Sequence, residues 1–342
     1  MVLFNRVVIK QFVKTGVFNN KLTAFIGINK KRIVDIKKKE EPKDGFEKLN
    51  VIKTGRGFII GSITVIIIGI IMICMFGMNL GIDFTGGSDI SIKSTNTINM
   101  TEALKDVKGY KVLEHEKVSK NEGYIKLANT LEKDDINNIK SKFKQDQMSA
   151  EISVISNIVK KDLTKNAIIS LIISIICILL YIAFRFSFNY GVGAIGSLIH
   201  DVLIIVAFFV IFRLEVNFIF IAAILTIIGY SINDTIVCFD RIRENNKLWY
   251  NNEPKTKEDL QNLVNRSVRQ TLFRTLFTSL TTIVAGTILL LAGVNEIFDF
   301  NVALLVGLIS GTYSSIFIAI QIWYYKELRS LGKPKKVKKN YK

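Results

Sequence analysis

Ionisable side chains interrupt three of the apolar stretches in this sequence. Asp234 lies in the fourth stretch, His200 and Asp201 lie in the third, and Arg274 begins the fifth. An ionisable group near the centre of a membrane span costs about 2.5 to 3.5 kcal/mol on insertion scales, so it marks a functional site by default. A carboxylate and a guanidinium that neutralise each other beside a histidine are the parts of a proton relay. We therefore predict that these four residues couple an ion to the protein's function.

Small polar residues accompany the ionisable groups and predict a supporting polar strip on spans four and five. They are Ser231, Asn233, Thr235 and Thr278. Two other interpretations stay open. In the first, Asp234 and Arg274 form a static ion pair that only fixes helix packing. In the second, His200 is a structural residue held by a hydrogen bond. A GxxxG pattern at Gly307 and Gly311, with Ser310, Ser314 and Ser315, indicates a closely packed helix face.

Motifs for other chemistry are absent from the sequence or stand in the wrong context. No Walker A, HExxH or GxSxG pattern occurs, so ATP hydrolysis and protease chemistry are poor hypotheses, and we predict that the chain is not an enzyme. The cysteines form no metal-binding pattern. Gly191, Gly193 and Gly196 fit GxGxxG, but no strand precedes them. We predict neither a metal nor a cofactor.

The composition is apolar and basic at once. The 342 residues have a mean hydropathy of +0.32 and carry 46 Lys and Arg against 29 Asp and Glu. Apolar residues are concentrated in long runs, which argues against a soluble enzyme or a disordered chain and favours bilayer spans. The basic charge then needs no nucleic acid, because juxtamembrane basic clusters meet anionic lipid headgroups.

Six apolar runs of about 20 residues predict six transmembrane helices. They cover residues 57–79, 166–184, 191–212, 217–239, 272–292 and 301–324. Lys and Arg are in excess in 1–56, 240–271 and 326–342, whereas the link 293–300 carries only acidic charge. By the positive-inside rule both termini are cytoplasmic. We predict a basic cytoplasmic extension 1–56, a first helix 57–79, a five-helix membrane domain 166–325 and a basic tail 326–342, with anionic lipid at both basic ends.

Residues 80–165 form the only long insertion between spans, and we predict that they lie outside the cytoplasm. Ile90 and Ile92 alternate with polar residues as in a strand, and a helical period follows Leu131. The order of elements is βαββαβ. This order is typical of a small α+β ferredoxin-like domain between helices 1 and 2.

Four longer motifs, together with His200-Asp201, carry a family resemblance. They are GIDFTGG at 81–87, GYSINDTIVCFDRIREN at 229–245, TLFRTLFTSLTT at 271–282 and GTYSSIFIA at 311–319. With them the sequence resembles the SecD/SecF family of bacterial protein export, and its smaller SecF half. The motif on span four is highly specific, whereas DFTGG is shared with the SecD half.

The resemblance implies half of a pseudo-twofold membrane unit of the RND type in the bacterial plasma membrane. It implies pairing with SecD and work beside the SecYEG channel and SecA, with YidC and YajC as further partners, on exported polypeptides. The resemblance also implies that the proton-motive or sodium-motive force drives this export. In the family the aspartate of the NDT element and the arginine of the RT element are linked to proton passage, which here are Asp234 and Arg274.

The DFTGG element has two open interpretations. Asp83 could cap a turn or bind the partner half, and Gly86 and Gly87 allow backbone angles closed to other residues. A hinge between the membrane unit and the outer domain and a rigid turn are both compatible with this pattern. Two other functions are also compatible with the sequence: a half-size RND-type exporter of lipids or small molecules, and a structural scaffold of the translocon.

Overall fold

The computed structural model describes residues 50–117, 119–254, 256–292 and 297–331. Most of the basic N-terminal extension and most of the basic tail lie outside the described residues. The first span and the outer domain comprise α1 Val51–Phe76, α2 Ile82–Thr85, β1 Gly87–Ser94, α3 Met100–Asp106, β2 Val112–Glu116, β3 Glu122–Leu127, α4 Lys133–Gln145 and β4 Met148–Ile155. The remaining elements are α5 Asn157–Arg185, α6 Phe188–Ile211, α7 Phe218–Tyr250, α8 Lys257–Leu291, α9 Phe298–Tyr313, a π-helical turn Ser314–Ile318 and α10 Ala319–Ser330.

Six helical segments in the described part of the chain are long and apolar enough to cross a membrane. They are α1, α5, α6, α7, α8 and the continuous run of α9, the π turn and α10. The predicted number of spans is confirmed. The apolar side chains of α1, α5 and α8 face mostly outward, where lipid tails solvate them, whereas half or more of the apolar part of α6, α7 and the α9–α10 run is buried within the protein.

Several helices extend beyond the predicted apolar runs, because their ends are capped by polar groups. Helix α5 begins at Asn157, before the predicted residue 166, and the side chain of Ser156 accepts a hydrogen bond from the Val159 amide. Helix α8 begins at Lys257, before the predicted residue 272, with a reciprocal capping box between Thr256 and Asp259. Hydropathy locates the apolar part of a span but does not detect these solvated ends.

The outer domain is a four-stranded antiparallel sheet in the order β2-β3-β1-β4. With α3 and α4 this is the predicted βαββαβ arrangement. Its core consists of residues such as Ile90, Ile92, Ile125, Leu127 and Phe143, which are fully buried. Since neighbouring strand residues point to opposite faces, the residues between them carry the polar face of the sheet.

Helices α7 and α9 approach closely at the predicted small-residue face. A Cβ added at Gly307 would stand 2.5 Å from a side-chain carbon of Ile227, and one at Gly311 would stand 3.1 Å from the Ser231 Cβ. These glycines therefore let two helix backbones come within reach of short side chains. This close approach brings the polar groups of α6, α7 and α9 together.

Candidate ion-coupling site

Asp201 is the most extensively hydrogen-bonded carboxylate inside the described membrane helices. Its Oδ2 accepts hydrogen bonds from Ser231 Oγ at 2.6 Å and Ser314 Oγ at 2.9 Å. Its Oδ1 accepts one from Ser310 Oγ at 2.8 Å and lies 3.0 Å from Nδ1 of His200. The residue is 1% exposed. Four protein donors compensate the cost of burying this charge, so Asp201 fastens α6 to α7, α9 and the π turn.

His200 continues this network in the direction of α1. Its Nε2 lies 3.3 Å from the Tyr313 hydroxyl, which in turn lies 3.1 Å from Oγ of Ser62. The imidazole and the Tyr313 ring also pack edge to face at 5.4 Å between centroids. The predicted neighbours His200 and Asp201 are therefore joined by a direct hydrogen bond, and both are buried.

Asp234 is buried on α7 and accepts fewer hydrogen bonds than Asp201 does. Its Oδ2 is 3.4 Å from Oγ of Ser279 on α8, a long hydrogen bond. The residue is 4% exposed. Beside it, Oγ1 of Thr235 lies 2.9 Å from Oγ of Ser315, which ties α7 to the π turn. Asp234 is thus a buried carboxylate with little compensation from protein donors.

Arg274 does not form an ion pair with Asp234, although both residues are described. The guanidinium is exposed on α8, yet it is close enough to attract the carboxylate electrostatically. Helix rotation separates the two groups, because α8 directs Ser279 and not Arg274 at Asp234. The structure therefore brings His200 and Asp201 together but leaves Asp234 and Arg274 apart.

The predicted polar strip divides into buried and exposed members. Ser231 and Thr235 are buried and bonded to the partners given above. Asn233 is exposed, and Thr278 donates its hydroxyl to the Arg274 carbonyl of its own helix at 2.6 Å. Two of the four residues therefore contact the polar network directly.

The DFTGG element is fastened on both sides. Oδ2 of Asp83 accepts a hydrogen bond from the Phe218 amide at the start of α7 at 2.8 Å, and the Gly81 amide donates to the Val216 carbonyl at 2.9 Å. Gly87 has φ +119°, and a Cβ there would collide with the Leu127 carbonyl oxygen. Asp83 therefore caps a neighbouring membrane helix, and these contacts favour a fixed turn over a free hinge.

Two family models match this chain, one over the membrane helices and one around the DFTGG element. The SecD/SecF C-terminal model of protein export membrane proteins matches residues 135–329, which include the entire intramembrane network except Ser62. The SecD/SecF GG motif model matches residues 71–98. The chain belongs to the SecD/SecF family.

Individual relatives give the same assignment. A protein translocase subunit SecF of Alicyclobacillus acidocaldarius is 34% identical over 296 residues, which is 84% of this chain and 95% of that protein. The SecDF subunit of Bacillus subtilis is 40% identical over 91% of this chain, and the match spans only 43% of that longer protein. A crystal structure of SecDF from Thermus thermophilus, described as a translocon-associated membrane protein, matches 87% of this chain and 41% of its own with 31% identity and a TM-score of 0.74.

In this SecD/SecF chain a buried lysine joins the outer domain to the membrane helices. Nζ of Lys126 on β3 lies 2.6 Å from Glu215, in the link between α6 and α7, and 3.1 Å from Glu114 on β2. Burial disfavours the lysine charge, yet the hydrogen bonds and negative charges of both glutamates outweigh it and raise the Lys126 pKa. The ion pair is therefore one fixed contact between the polar sheet face and the membrane unit.

Asp89 stands beside this pair on β1, with Oδ1 buried and lacking a hydrogen-bond partner within the described structure. Burial, followed by repulsion from Glu215, raises its pKa from 3.8 to about 6. Because the folded pKa is the higher one, ionisation of Asp89 destabilises the fold above pH 6. This penalty disappears as the pH falls from about 6 to about 4.

We expect Asp89→Asn to stabilise the outer domain by roughly 2 to 3 kcal/mol at pH 8 and to have little effect at pH 4. The measurement is hydrogen exchange of the β1 and β3 amides in the full-length chain at both pH values. Asp134→Asn, an exposed change on α4, serves as the matched control. Equal effects of Asp89→Asn at the two pH values would contradict the assigned cause.

Sequence reasoning missed several members of the network. Ser310, Ser314 and Ser315 are predicted as packing residues, and the signal that could have assigned them a polar role is their spacing beside GxxxG in an apolar helix. Ser279, as the serine of span five, is expected to make an interhelical hydrogen bond, whereas Ser62 and Tyr313 have no predicted polar role. Single hydroxyls in apolar runs carry no distinguishing pattern, because their partners lie on helices that are distant in sequence.

Proposed function

We propose that this chain is the SecF half of an accessory unit of the bacterial Sec translocase, where it promotes polypeptide export with energy from an ion gradient. The observation that carries the proposal is the contrast between two buried carboxylates. Asp201 has its acceptor positions filled by protein donors, whereas Asp234, on the specific span-four motif, has one long hydrogen bond. Asp234 is the group that gains and loses the coupling ion, and Asp201 with His200 holds the surrounding helices.

Partnership with SecD is supported by the exposed surface of α8. Arg274 stands there among large exposed apolar residues, namely Phe273, Leu276, Phe277 and Leu280. A guanidinium without an ion pair among the described residues is costly where it faces lipid, so this face needs a polar neighbour. A SecD subunit that covers α8 would supply that neighbour. The SecYEG channel with SecA, and YidC and YajC, complete the proposed set of partners.

A plasma-membrane location with cytoplasmic termini is supported by charge. At the start of α1 the Val51 amide donates to the Asn265 side chain and the Ile52 carbonyl accepts from Gln321, and Asn189 donates to Glu327 near the end of α10. These contacts support a common side for the start of α1 and the end of α10, next to the basic segments. The positive-inside rule makes that side cytoplasmic.

The test is pulse-chase export of a secreted protein in bacterial cells depleted of their own SecD and SecF. We expect this chain, produced with its cognate SecD, to restore export, and we expect a protonophore or sodium ionophore to remove the restored part. Rescue without any response to either ionophore would contradict ion coupling. Failure of rescue, with both subunits present in the membrane, would contradict the export function.

A further inference from the structure

An unbroken polar chain runs from the Asp201 carboxylate to the first membrane helix. It passes from Asp201 to His200 at 3.0 Å, from His200 to Tyr313 at 3.3 Å, and from Tyr313 to Ser62 at 3.1 Å. His200, Asp201 and Ser62 are 8%, 1% and 5% exposed. A buried hydroxyl that bonds across helices in a membrane is a specific contact, since water does not replace it.

The Tyr313 ring packs against helix α1. It stacks on Phe58 of α1 at 5.4 Å between centroids, and Phe58 also stacks on Phe317 at 4.5 Å. The π turn begins at the next residue, Ser314, which donates to Asp201. Single π turns in α-helices occur frequently at functional sites. Tyr313, directly before the turn, contacts His200, and Ser314, its first residue, contacts Asp201.

Helix α1 leads directly into the outer domain. It ends at Phe76, and residues 77–87 carry the chain through the Asp83 cap on α7 into β1. A contact that responds to the state of His200 would therefore act on the helix that enters the outer domain. Ser62 and Tyr313 form such a contact.

We propose that Tyr313 and Ser62 are positioning residues that tie the protonation state of the His200–Asp201 pair to helix α1. This inference rests on the proposed ion-coupled function. With the proton of neutral His200 on Nδ1, toward Asp201, Nε2 accepts from Tyr313, and Tyr313 accepts from Ser62. When Nε2 takes up a proton it becomes a donor, so the Tyr313 hydroxyl turns to accept from His200 and donates to Ser62. The direction of both hydrogen bonds is thereby reversed at α1.

Few other groups face His200. Within hydrogen-bonding distance in the described structure, its own helix supplies Asp201 and α9 supplies Tyr313. Helix α1 contributes the neutral Ser62 through Tyr313, and α7 contributes the neutral Ser231 through Asp201. The hydroxyl of Tyr313 is therefore the group through which His200 reaches α1.

The experiment compares Tyr313→Phe and Ser62→Ala with wild type in the full-length chain bound to SecD. Tyr325→Phe is the matched control for the first, because its hydroxyl also joins α10 to α1, through Arg56 at 3.3 Å, without contacting His200. Thr64→Val is the control for the second, since among the described residues the Thr64 hydroxyl donates only to the Ile60 carbonyl of its own helix. Ser62→Thr restores a hydroxyl and tests rescue.

Two readouts are used. The first is the pH profile of gradient-driven export in membrane vesicles. The second is deuterium exchange at the imidazole C2 position against pH, read by mass spectrometry, with the exposed His115 of the outer domain as internal reference. A variant that only loosens packing does not displace the His200 curve relative to His115.

We expect Tyr313→Phe and Ser62→Ala to lower gradient-driven export roughly fivefold, the factor of one net hydrogen bond. We also expect both to displace the His200 exchange curve, and Ser62→Thr and the two controls to match wild type. Wild-type exchange curves and wild-type pH profiles in both variants would overturn the inference. If Asp234→Asn exports like wild type, the proposed function fails instead, and the His200 exchange curves still decide whether Tyr313 and Ser62 act on His200.

Discussion

Asp234→Asn is expected to reduce gradient-driven export at least about tenfold while leaving the chain folded and bound to SecD. Asparagine has nearly the same shape as aspartate and keeps an oxygen that accepts from Ser279, but it does not take up a proton. The carboxylate is 4% exposed inside a membrane helix, where an ionisable group is costly unless it serves the function. The measurement is export into inverted membrane vesicles with and without an imposed gradient.

Asp240→Asn provides the matched control for this prediction. It makes the same change of charge on the same helix, where the partly exposed Asp240 pairs with the exposed Arg185 and with Arg243. Such solvent-accessible pairs contribute only about 0 to 1 kcal/mol, so we expect wild-type export. If Asp234→Asn responded to the gradient as wild type does, Asp234 would not be the coupling group, and the scaffold interpretation would gain support.

Asp201→Ala is expected to destabilise the membrane domain by about 3 kcal/mol or more. The substitution removes the acceptor of three serine hydroxyls and of His200, and each buried polar group left unsatisfied costs about 1 to 3 kcal/mol. Asp201→Asn keeps part of this acceptor capacity and should cost less. The measurement is unfolding of the purified chain in mixed micelles with increasing denaturing detergent.

Asp162→Ala is the control for the Asp201 variants, because Asp162 is an exposed carboxylate on α5. Its expected effect is within about 0.5 kcal/mol, as for other exposed sites. We expect the loss of unfolding free energy to be largest for Asp201→Ala, smaller for Asp201→Asn and smallest for Asp162→Ala. Equal costs for Asp201→Ala and Asp162→Ala would show that the hydroxyl network does not hold the helices together.

Asp201 and Asp234 differ in environment, although both are ionisable residues within apolar spans. Both lie in long apolar runs, and sequence reasoning predicts the same relay role for both. In the folded chain Asp201 accepts hydrogen bonds from three serines on α7, α9 and the π turn, whereas among the described residues Asp234 accepts one from Ser279 only. This difference separates a helix-fastening carboxylate from the proposed coupling carboxylate, and it depends on which helix faces meet.

The sequence by itself determined the number of spans, the βαββαβ order of the outer domain and the family. Each of these depends on local information: the length of an apolar run, the period of alternation within one element, and motifs such as DFTGG. The buried positions of Asp234 and His200 in the bilayer follow from the same local patterns. Helix ends such as Asn157 and Lys257 were less well determined, because capping extends a helix past its apolar part.

Only the tertiary structure decided which polar groups meet. It separates Arg274 from Asp234, joins Tyr313 to Ser62, and places Lys126 of the outer domain against Glu215. The physical reason is that the rotation and crossing of each helix are set by packing between segments far apart in sequence, such as Gly307 against Ile227. A hydroxyl or guanidinium on an apolar helix acquires its partner only when that packing fixes which face it occupies.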